Sequence, residues 1–581
     1  MNLQKKRRRF SLPRIYFSFV QRRKISDKLL FNAVLIALCI SVFVALFTLN
    51  SLFTKTLPTY GGAIVEGIVG TPRFVNPVLA INRADHDMVA LIYSGLVKLD
   101  ENGNLINDVA ESIELSQDGR TYHVKLKSGV YFHNGTELKV RDVAYTIALI
   151  QNSELKSPLR GAWDGVQVEE IGDYEMNITL EEAYIPFLEN LTVGILPREL
   201  WDELPIEQIP FSQNNTEPVG TGPYRVGDVL RNKSGLINGY KLSAVESSSY
   251  RPNITTLVFN FYQNEEELLQ ALERKEIAST PSLSPENFSK VDTATYNILK
   301  TPLPRTFAIY FNQNKSAALR DESARKALNT AIDKQTLVDL VLFGYGIETN
   351  SPIPPGFLTA TTSEANTEEN KVDVNLLEKA QSILRDGGWQ KTEKGTWEKK
   401  IDTSVVTLSV ELSTANTTLF DATATHIAQV WKSIGVEVNV SQFEQTDLVQ
   451  SIIRPRDFEA LLYGADIGRQ VDLYPFWHSS QKNDPGLNIG QYTNIEVDAL
   501  LGKLRKEQDQ TERTNILDAV EKIITDDMPA IFLFVPMFGY VQDVRVTATP
   551  LQKLSTQSER FANISKWHMK SSNLWPIFSN N

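Results

Sequence analysis

The sequence predicts an α/β protein with one N-terminal transmembrane helix, and three observations support this fold class. An uncharged apolar stretch occupies residues 29–49. Between residues 375 and 465, strand-like and helix-like patterns alternate along the chain. The chain has 581 residues, and hydrophobic cores stop growing at about 250–300 residues. We therefore expect several domains behind a single membrane helix.

The apolar stretch is long enough to cross a bilayer. It reads LLFNAVLIALCISVFVALFTL and contains no charged residue. At about 1.5 Å per residue, it spans roughly 31 Å, the thickness of a bilayer core. Residues 1–28 contain ten Lys or Arg and one acid, which places them in the cytoplasm by the positive-inside rule. A cleaved signal peptide is the main alternative, but no A-x-A-like cleavage site follows Leu49. We therefore expect a basic cytoplasmic tail, an uncleaved anchor at 29–49 and an extracytoplasmic body.

The composition excludes several functional classes. The chain carries a net charge of −11, and because residues 1–28 are strongly basic, the body is more acidic still. An acidic body argues against nucleic acid as a partner. Cys39 is the only cysteine, so the body has neither a disulfide nor a thiolate metal ligand.

The first half of the body is rich in strand patterns. Polar and apolar residues alternate over 122–126, and the turn pairs Asp118-Gly119 and Asn134-Gly135 flank short strands. A helical face then follows at Val143 and the residues four and seven positions later. The predicted order is therefore hairpin, strand and helix.

The second half alternates strands and helices, which predicts a sheet with helical crossovers. In such sheets, ligands gather beyond the carboxyl ends of strands, and Asp466 stands just past the last predicted strand. The predicted elements are a helix at 376–384, a strand at 406–412, a helix at 424–434, a strand at 436–440, a helical segment at 446–454 and a strand at 458–465.

No pattern of an enzyme or of a metal site occurs. The motifs H-E-x-x-H, G-x-S-x-G and Walker A are missing, and the six histidines lack metal-ligand spacing. The acids Asp466 and Asp472 could do acid–base chemistry, but no nucleophile accompanies them. In VGTGPYRV (219–226), Gly220 and Gly222 permit a tight backbone crossing rather than a phosphate loop. We therefore expect a binding protein without a cofactor.

Six segments together resemble the extracellular solute-binding proteins of family 5, the oligopeptide-, dipeptide- and nickel-binding components of ABC importers. They occur in the family's order and cover nearly everything from about residue 60 to 545. The segments are LIYSGLVKLDENGNLINDVAES (91–112), DGRTYHVKLKSGVYFHNGTELKVRDVAYTI (118–147), VGTGPYRV, FNQNKSAALRDESARKALNTAIDKQTLVDLVLFGYG (311–346), KAQSILRDGGW (379–389) and YTNIEVDALLGKLRKEQDQTERTNILDAVEKIITDDMPAIFLF (492–534).

The resemblance implies a two-lobed, periplasmic-binding-protein-like fold of three domains, with a hinge and a ligand cleft between the lobes. We expect Gly220 and Gly222 in the hinge. Two positions depart from the family: Ser94 replaces a common glutamate, and Lys139 replaces the usual threonine N-cap. The implied domains are a discontinuous lobe 1 core at 59–93, 217–305 and 526–581, an inserted domain at 94–216, and an α/β lobe 2 at 306–525.

The resemblance also implies a function. Family members that bind peptides pair with the ligand main chain and hold its ammonium with a carboxylate. They deliver the ligand to a permease and ATPase, so we expect a monomeric, membrane-anchored importer component. A nickel chelate or another small solute is an alternative ligand, and a sensor that kept the fold is an alternative role.

The candidate ligand residues lie mostly in one segment. Asp466 matches the family acid when Y-G-A-D is aligned, whereas alignment on V-D-L-Y-P-F favours Asp472, and both stay open. Each candidate also has a structural reading: a cap or turn for Asp466, a solvated loop for Asp85, a surface ion pair for Arg469 and core packing for the aromatic residues. The candidates are Asp466, Asp472, Tyr463, Arg469, Trp477 and, from the other lobe, Asp85.

Overall fold

The protein folds into two compact units, one of which contains residues 60–569. The other contains the helix Ile25–Phe53 and an antiparallel strand pair, Lys55–Pro58 with Ser571–Leu574. Residues 570–574 therefore leave the lobe to which the sequence assigned 526–581. The predicted basic tail lies outside the described residues, except for the backbone of residues 25–28. The computed structural model describes residues 25–53, 55–246, 251–357, 375–548 and 551–574.

The predicted membrane segment is helical throughout. The helix Ile25–Phe53 contains the apolar window Leu29–Thr48, which has a mean hydropathy of 2.8 and no buried residue. An exposed, apolar helix of this length is compatible with a membrane span, and a signal sequence near the N-terminus has the same properties.

Residues 60–569 are built around a twelve-stranded sheet. Ten of its strands lie side by side, and the other two, Tyr296–Pro302 and Gly346–Glu348, pair with the strand Ala530–Asp543. The strand order across the sheet is Glu437–Phe443, Ser409–Ala415, Ala460–Asp466, Arg305–Phe311, Ala530–Asp543, Ser279–Thr280, Ala63–Val69, Thr256–Tyr262, Ile237–Ala244 and Tyr224–Arg231.

The buried side chains separate into two groups along the chain. One group lies within residues 64–296 and 538–567, and the other lies within residues 307–534. We call the first part lobe 1 (residues 60–303 and 537–569) and the second part lobe 2 (residues 304–536). Two separate cores are the basis of the two-lobed fold.

The strand Ala530–Asp543 belongs to both lobes. Its first half pairs antiparallel with Arg305–Phe311, and its second half pairs antiparallel with Tyr296–Pro302. The chain therefore crosses between lobes at residues 302–305 and again near Pro536. The first crossing lies next to residue 305, where the sequence analysis placed a domain boundary. The predicted end of lobe 2 at 525 falls too early, because residues 531–534 are buried in the lobe 2 core.

The inserted part of lobe 1 contains the predicted hairpin and the predicted helix, but between them Tyr131 and Glu137 form an isolated bridge instead of the predicted strand. Tyr122, Val124 and Leu126 are buried on one face of their strand, as the alternation predicts. The elements are a four-stranded sheet in the order Ala110–Leu115, Thr121–Leu126, Glu175–Thr179 and Gln167–Glu170, the helices Val140–Gln151 and Arg160–Trp163, and the strand pair Val97–Leu99 with Leu105–Asn107.

Lobe 2 contains the predicted α/β layer. Ser409–Ala415 pairs parallel with both Glu437–Phe443 and Ala460–Asp466, and the helix Thr418–Ser433 forms the first crossover. Gly435 ends this crossover at a φ of +93°, where a Cβ would lie 2.5 Å from the Gly395 carbonyl oxygen, so only glycine fits.

Further short elements complete the two lobes. The helices are Arg83–Ile92, Glu265–Glu273, Ala317–Arg320, Glu322–Thr330, Lys334–Leu342, Leu376–Asp386, Gln445–Asp447, Tyr474–Trp477, Ile495–Leu504 and Gln510–Asp527, and the strands are Gln390–Lys391, Trp397–Ile401 and Ser404–Thr407.

Candidate functional site

The strand Ala460–Asp466 delivers its last residue, Asp466, to the edge of lobe 2. Asp466 pairs with Arg305 on the neighbouring strand, where Arg305 Nη2 lies 3.3 Å from Asp466 Oδ2. The two side chains are 43% and 48% exposed, and the Gly468 amide donates to Oδ1. Asp466 is therefore the end of the strand rather than the residue after it, and its ion pair lies within lobe 2.

Arg469 extends from the same loop into lobe 1. Its side chain is only 7% exposed. Nη1 donates to the carbonyl oxygen of Gly103 at 3.1 Å, Nη2 donates to Glu559 Oε2, and Nε lies 3.9 Å from Glu189 Oε1. All three partners belong to lobe 1. The alternative reading of Arg469 as a surface ion pair is wrong, because its charge contacts are buried between the lobes.

Asp472 forms a second contact between the lobes. Its Oδ2 accepts a hydrogen bond from the Tyr184 hydroxyl of lobe 1 at 3.0 Å and from Arg505 Nη2 at 2.8 Å. The Arg505 guanidinium also lies over the Tyr184 ring, 5.0 Å from its centroid. Burial, and then the charge of Asp472, raise the pKa of the Tyr184 hydroxyl, so this hydroxyl stays a donor. Asp472 is thus fully engaged with protein partners.

The two aromatic candidates differ in their surroundings. Trp477 is 3% exposed and packs against the rings of Tyr310, Tyr492 and Phe532, with centroids 5.8–6.0 Å apart. It is a core residue of lobe 2, which corrects its assignment as a ligand contact. Tyr463 is half-buried at the edge of the same core.

Asp85 holds the start of a helix. It is completely buried, and its carboxylate accepts hydrogen bonds from four backbone amides. Oδ1 accepts from residues 73 and 74, and Oδ2 accepts from residues 81 and 82. The helix Arg83–Ile92 begins in a capping box with Asn82. Because both oxygens are occupied, Asp85 is a structural residue and its assignment to the ligand is corrected.

Gly220 and Gly222 lie inside lobe 1. A Cβ on either residue would lie 2.1–2.8 Å from the carbonyl group of Ile92, and the Gly222 amide donates to the Ile92 oxygen. His133 binds the same segment through the Gly222 carbonyl at 3.0 Å. These glycines permit a close backbone approach, as their pattern predicts, but the crossings between lobes lie elsewhere. The hinge assignment is corrected accordingly.

A cavity of about 510 Å³ opens beside Arg469. Lobe 1 supplies the other residues that line it, so Arg469 is the part of its wall that lobe 2 contributes. The apolar lining includes Val89, Tyr93, Trp163 and Phe561, and the polar lining includes His86, Glu189, Ser555 and Glu559. A cavity of this size, mostly apolar with a few convergent polar groups, is typical of a small-ligand site.

Most of these lining residues carry no recognisable signal in the sequence. Trp163 is the last residue of the short helix Arg160–Trp163, and Glu189 and Glu559 lie on 3₁₀ turns that carry no periodic pattern. Only the position of Arg469 in the loop after a strand pointed to the site. The lining residues come together through tertiary contacts between segments that are hundreds of residues apart.

Burial controls the protonation of the acids in this cavity. It raises the pKa of Glu559 to about 7, although the positive charge of Arg469 opposes the shift. Burial likewise raises the pKa of Glu189, with a further contribution from the negative charge of Asp466. Within the described residues, no group of three or more His, Cys, Asp or Glu could hold a metal ion.

The chain is similar to known binding proteins along most of its length. It is 27% identical to the oligopeptide-binding protein AppA of Bacillus subtilis over 536 residues, which cover 89% of this chain and 94% of AppA. It is 21% identical to the dipeptide-binding protein of Escherichia coli over 497 residues, covering 80% of this chain and 87% of that protein.

The solved structures show the same fold. The structure of Bacillus subtilis AppA in complex with a nonapeptide is 26% identical, has a TM-score of 0.63, and covers 88% of this chain and all of AppA. The fold and the family expected from the sequence are both confirmed. The model of bacterial extracellular solute-binding proteins, family 5 Middle, matches residues 104–485, about two thirds of the chain. The chain therefore belongs to the bacterial extracellular solute-binding proteins of family 5, which are binding proteins and not enzymes.

Proposed function

We propose that this protein captures peptides in the cavity beside Arg469 and delivers them to an ABC importer. The observation that carries the proposal is the composition of the cavity wall. Lobe 1 supplies most of it, and lobe 2 supplies Arg469. A ligand bound there contacts both lobes and favours the arrangement in which they meet, because a ligand stabilises the state to which it binds more tightly.

The similarity to AppA supports peptide as the ligand class, because that protein is an oligopeptide-binding protein whose structure contains a nonapeptide. The test uses the full-length chain in detergent and a pool of random tri- to nonapeptides. Native mass spectrometry should detect a one-to-one complex, and calorimetry should then give its affinity. Retention of no peptide from the pool would contradict the proposal.

We further propose that the helix Ile25–Phe53 stays in the protein as its membrane anchor. Its apolar window has the required length, and the basic residues before it favour a cytoplasmic N-terminus. The intact mass of the protein purified from membranes tests this directly. A mass that includes residue 1 supports an anchor, and a mass that begins after residue 49 contradicts it.

We also propose delivery to a permease and ATPase, which the family membership supports and a cellular experiment tests. Deletion of the gene in its native host should abolish uptake of a radiolabelled peptide that the protein binds. Restoring the gene should restore uptake, whereas a version with Arg469→Ala should restore it poorly. Unchanged uptake in the deletion strain would favour a sensor over an importer component.

A further inference from the structure

A buried ion cluster lies beneath the cavity wall in lobe 1. Arg560 forms a bidentate pair with Asp87, in which Nη1 donates to Oδ1 at 2.6 Å and Nη2 donates to Oδ2 at 2.7 Å. Nη2 also donates to Glu66 Oε1 at 2.5 Å. The three side chains are at most 4% exposed. Replacing such a buried cluster by apolar residues often leaves stability unchanged, so its more specific contribution is the geometry that it imposes.

The cluster is fixed to the central sheet through Glu66. Glu66 Oε2 accepts hydrogen bonds from the Tyr540 hydroxyl at 2.8 Å and from the Ser279 hydroxyl at 3.0 Å. These three residues lie on three strands that pair side by side in the sheet. The Arg560 guanidinium therefore rests on a rigid base in the interior of lobe 1.

The helix Arg83–Ile92 forms one wall of the cavity. His86 and Val89 line the cavity, whereas Asp87, which lies between them in the chain, is buried beneath it. The helix is already fixed at its start, where the Asp85 carboxylate accepts hydrogen bonds from four backbone amides. Asp87 therefore offers its carboxylate from an element whose position other contacts determine.

The 3₁₀ turn Gln557–Phe561 forms another wall. Glu559 and Phe561 line the cavity, and Arg560 between them is buried. A 3₁₀ turn of five residues has poor internal hydrogen-bond geometry and needs support from outside. Arg560 supplies this support, because its guanidinium binds Asp87 and lies 4.0 Å from the centroid of the Phe561 ring. The position of this wall thus depends on the pair between Arg560 and Asp87.

We propose that Arg560 is a positioning residue that sets the width of the cavity between the helix Arg83–Ile92 and the turn Gln557–Phe561, and with it the size of the peptide side chain that fits. The two segments pack directly against each other. A bidentate pair permits a single relative geometry of guanidinium and carboxylate. This inference rests on the proposed function of peptide capture, and it assigns the selection of side-chain size to a residue beneath the cavity wall.

Two substitutions separate this role from ordinary core stability. Asp87→Asn and Glu66→Gln each remove one of the two carboxylate charges beside Arg560, and each leaves one acid with one guanidinium. Asp87→Asn breaks the bidentate link to the helix, whereas Glu66→Gln leaves that link intact and loosens the contact with the sheet. Burial raises the pKa of the Glu66 carboxyl, which favours a neutral side chain at this position. Glu66→Gln is therefore the matched control.

The experiment offers the full-length chain in detergent a pool of random tri- to nonapeptides and sequences the retained peptides by mass spectrometry. The enrichment of each residue type over its frequency in the pool gives a selectivity profile. The wild type should enrich large apolar residues over alanine by about tenfold, as a hydrophobic pocket does. Asp87→Asn should reduce this enrichment at least about threefold, and Glu66→Gln should change it less than about 1.5-fold. An unchanged profile in Asp87→Asn, or an equal change in both variants, would overturn the inference.

Hydrogen exchange provides a local readout without any peptide. The backbone amides of residues 557–562 should exchange about tenfold faster in Asp87→Asn than in the wild type, because the turn loses its link to the helix. The same amides should keep their protection in Glu66→Gln. Equal protection of the turn in wild type and Asp87→Asn would show that the link does not position this wall, and the inference would fail.

Further outcomes keep folding and peptide capture apart from this inference. Circular dichroism and urea denaturation establish whether each variant is folded. If Asp87→Asn does not fold, Arg560→Lys decides, since lysine keeps the charge but lacks the fixed fork of a guanidinium. Enrichment that Arg560→Lys retains in full would overturn the inference. If the wild type retains peptides without enriching any side chain, the inference fails and peptide capture stands. If it retains no peptide, both fail.

Discussion

Asp466, at the end of its strand, and Arg469, in the loop that follows, are three residues apart, yet their environments are opposite. Asp466 is 43% exposed and pairs with Arg305 of its own lobe. Arg469 is 7% exposed and contacts lobe 1 at three points. An exposed ion pair contributes little to stability, because water competes for both charges. A buried charge, by contrast, destabilises the protein strongly when its partner is removed. The difference shows that position in a loop does not reveal which charged residue holds the two lobes together.

The largest loss of stability should come from replacing Trp477, which packs in the core of lobe 2 shortly after this loop. Trp477 is buried among Tyr310, Tyr492 and Phe532. Trp477→Ala should lower the free energy of unfolding by about 3–5 kcal/mol, because it leaves a large cavity in the core. Urea denaturation measures this loss. Tyr463→Ala, at the half-buried edge, serves as the control and should cost clearly less. Equal losses would contradict the assignment of Trp477 to the core.

Arg469→Ala should separate the lobes. It leaves Glu189 and Glu559 buried without their cation, which typically costs about 3–5 kcal/mol when one partner of a buried pair is removed. Spin labels on the two lobes should report a longer distance and a broader distribution by pulsed electron resonance. Arg469→Met keeps much of the side-chain volume and should have the same effect, since the charge is what matters. An unchanged distance in both variants would show that the contact does not hold the lobes.

The pH dependence of stability should reveal the buried acid opposite Arg469. The folded state raises the pKa of Glu559 from about 4.5 to about 7, so the folded protein holds this proton at higher pH than the unfolded chain does. The associated stability is complete below pH 4.5 and is lost as the pH rises through 7, by up to about 3 kcal/mol. Urea denaturation from pH 4 to 8 gives the free energy of unfolding of the wild type and of Glu559→Gln. The difference between the two values at each pH isolates this contribution. A constant difference across that range would exclude it.

Tyr184→Phe tests the second contact between the lobes. The variant removes the hydroxyl that donates to Asp472 Oδ2 but keeps the ring beneath Arg505. We expect a loss of about 1 kcal/mol, the usual net value of one hydrogen bond, and a small increase in the distance between the lobes. The Arg505–Asp472 ion pair, at 2.8 Å, remains as an internal control. A loss as large as that of Arg469→Ala would reverse the ranking of the two contacts.

The smallest loss of stability should come from Asp466→Asn. Its exposed pair with Arg305 should contribute between 0 and about 1 kcal/mol to stability. Urea denaturation at low and high salt measures it, and Arg305→Gln should behave alike. A loss above about 2 kcal/mol would place Asp466 on a level with Arg469 and remove the contrast between them.

The sequence predicted those parts of the fold that follow from local patterns. The alternation at residues 122–126 and the helix before Gly435 both appear as expected, because each pattern reflects burial of one face. The end of lobe 2 was placed too early, since a strand shared by two cores carries a single continuous apolar pattern. No periodicity within Ala530–Asp543 marks the point at which one core replaces the other.

The candidate site was predicted only in part. Arg469, from the loop after Ala460–Asp466, lies in the cavity wall, and its role in ligand binding stays a prediction. Asp85 was assigned to the ligand because the family resemblance places a second acid near it, and Trp477 because it follows the strand end. Local hydrogen bonds and core packing occupy the two side chains instead. Glu189 and Glu559 could not be found, because only the folded chain brings residues so far apart in sequence to one guanidinium.

The shared strand also determines when the protein can finish folding. The core of lobe 2 includes Ile531, Leu533 and Phe534, and the core of lobe 1 includes residues 538–567. Neither lobe can therefore complete its core until the strand Ala530–Asp543 is in place. A truncation before residue 530 should leave two incomplete lobes rather than one complete lobe.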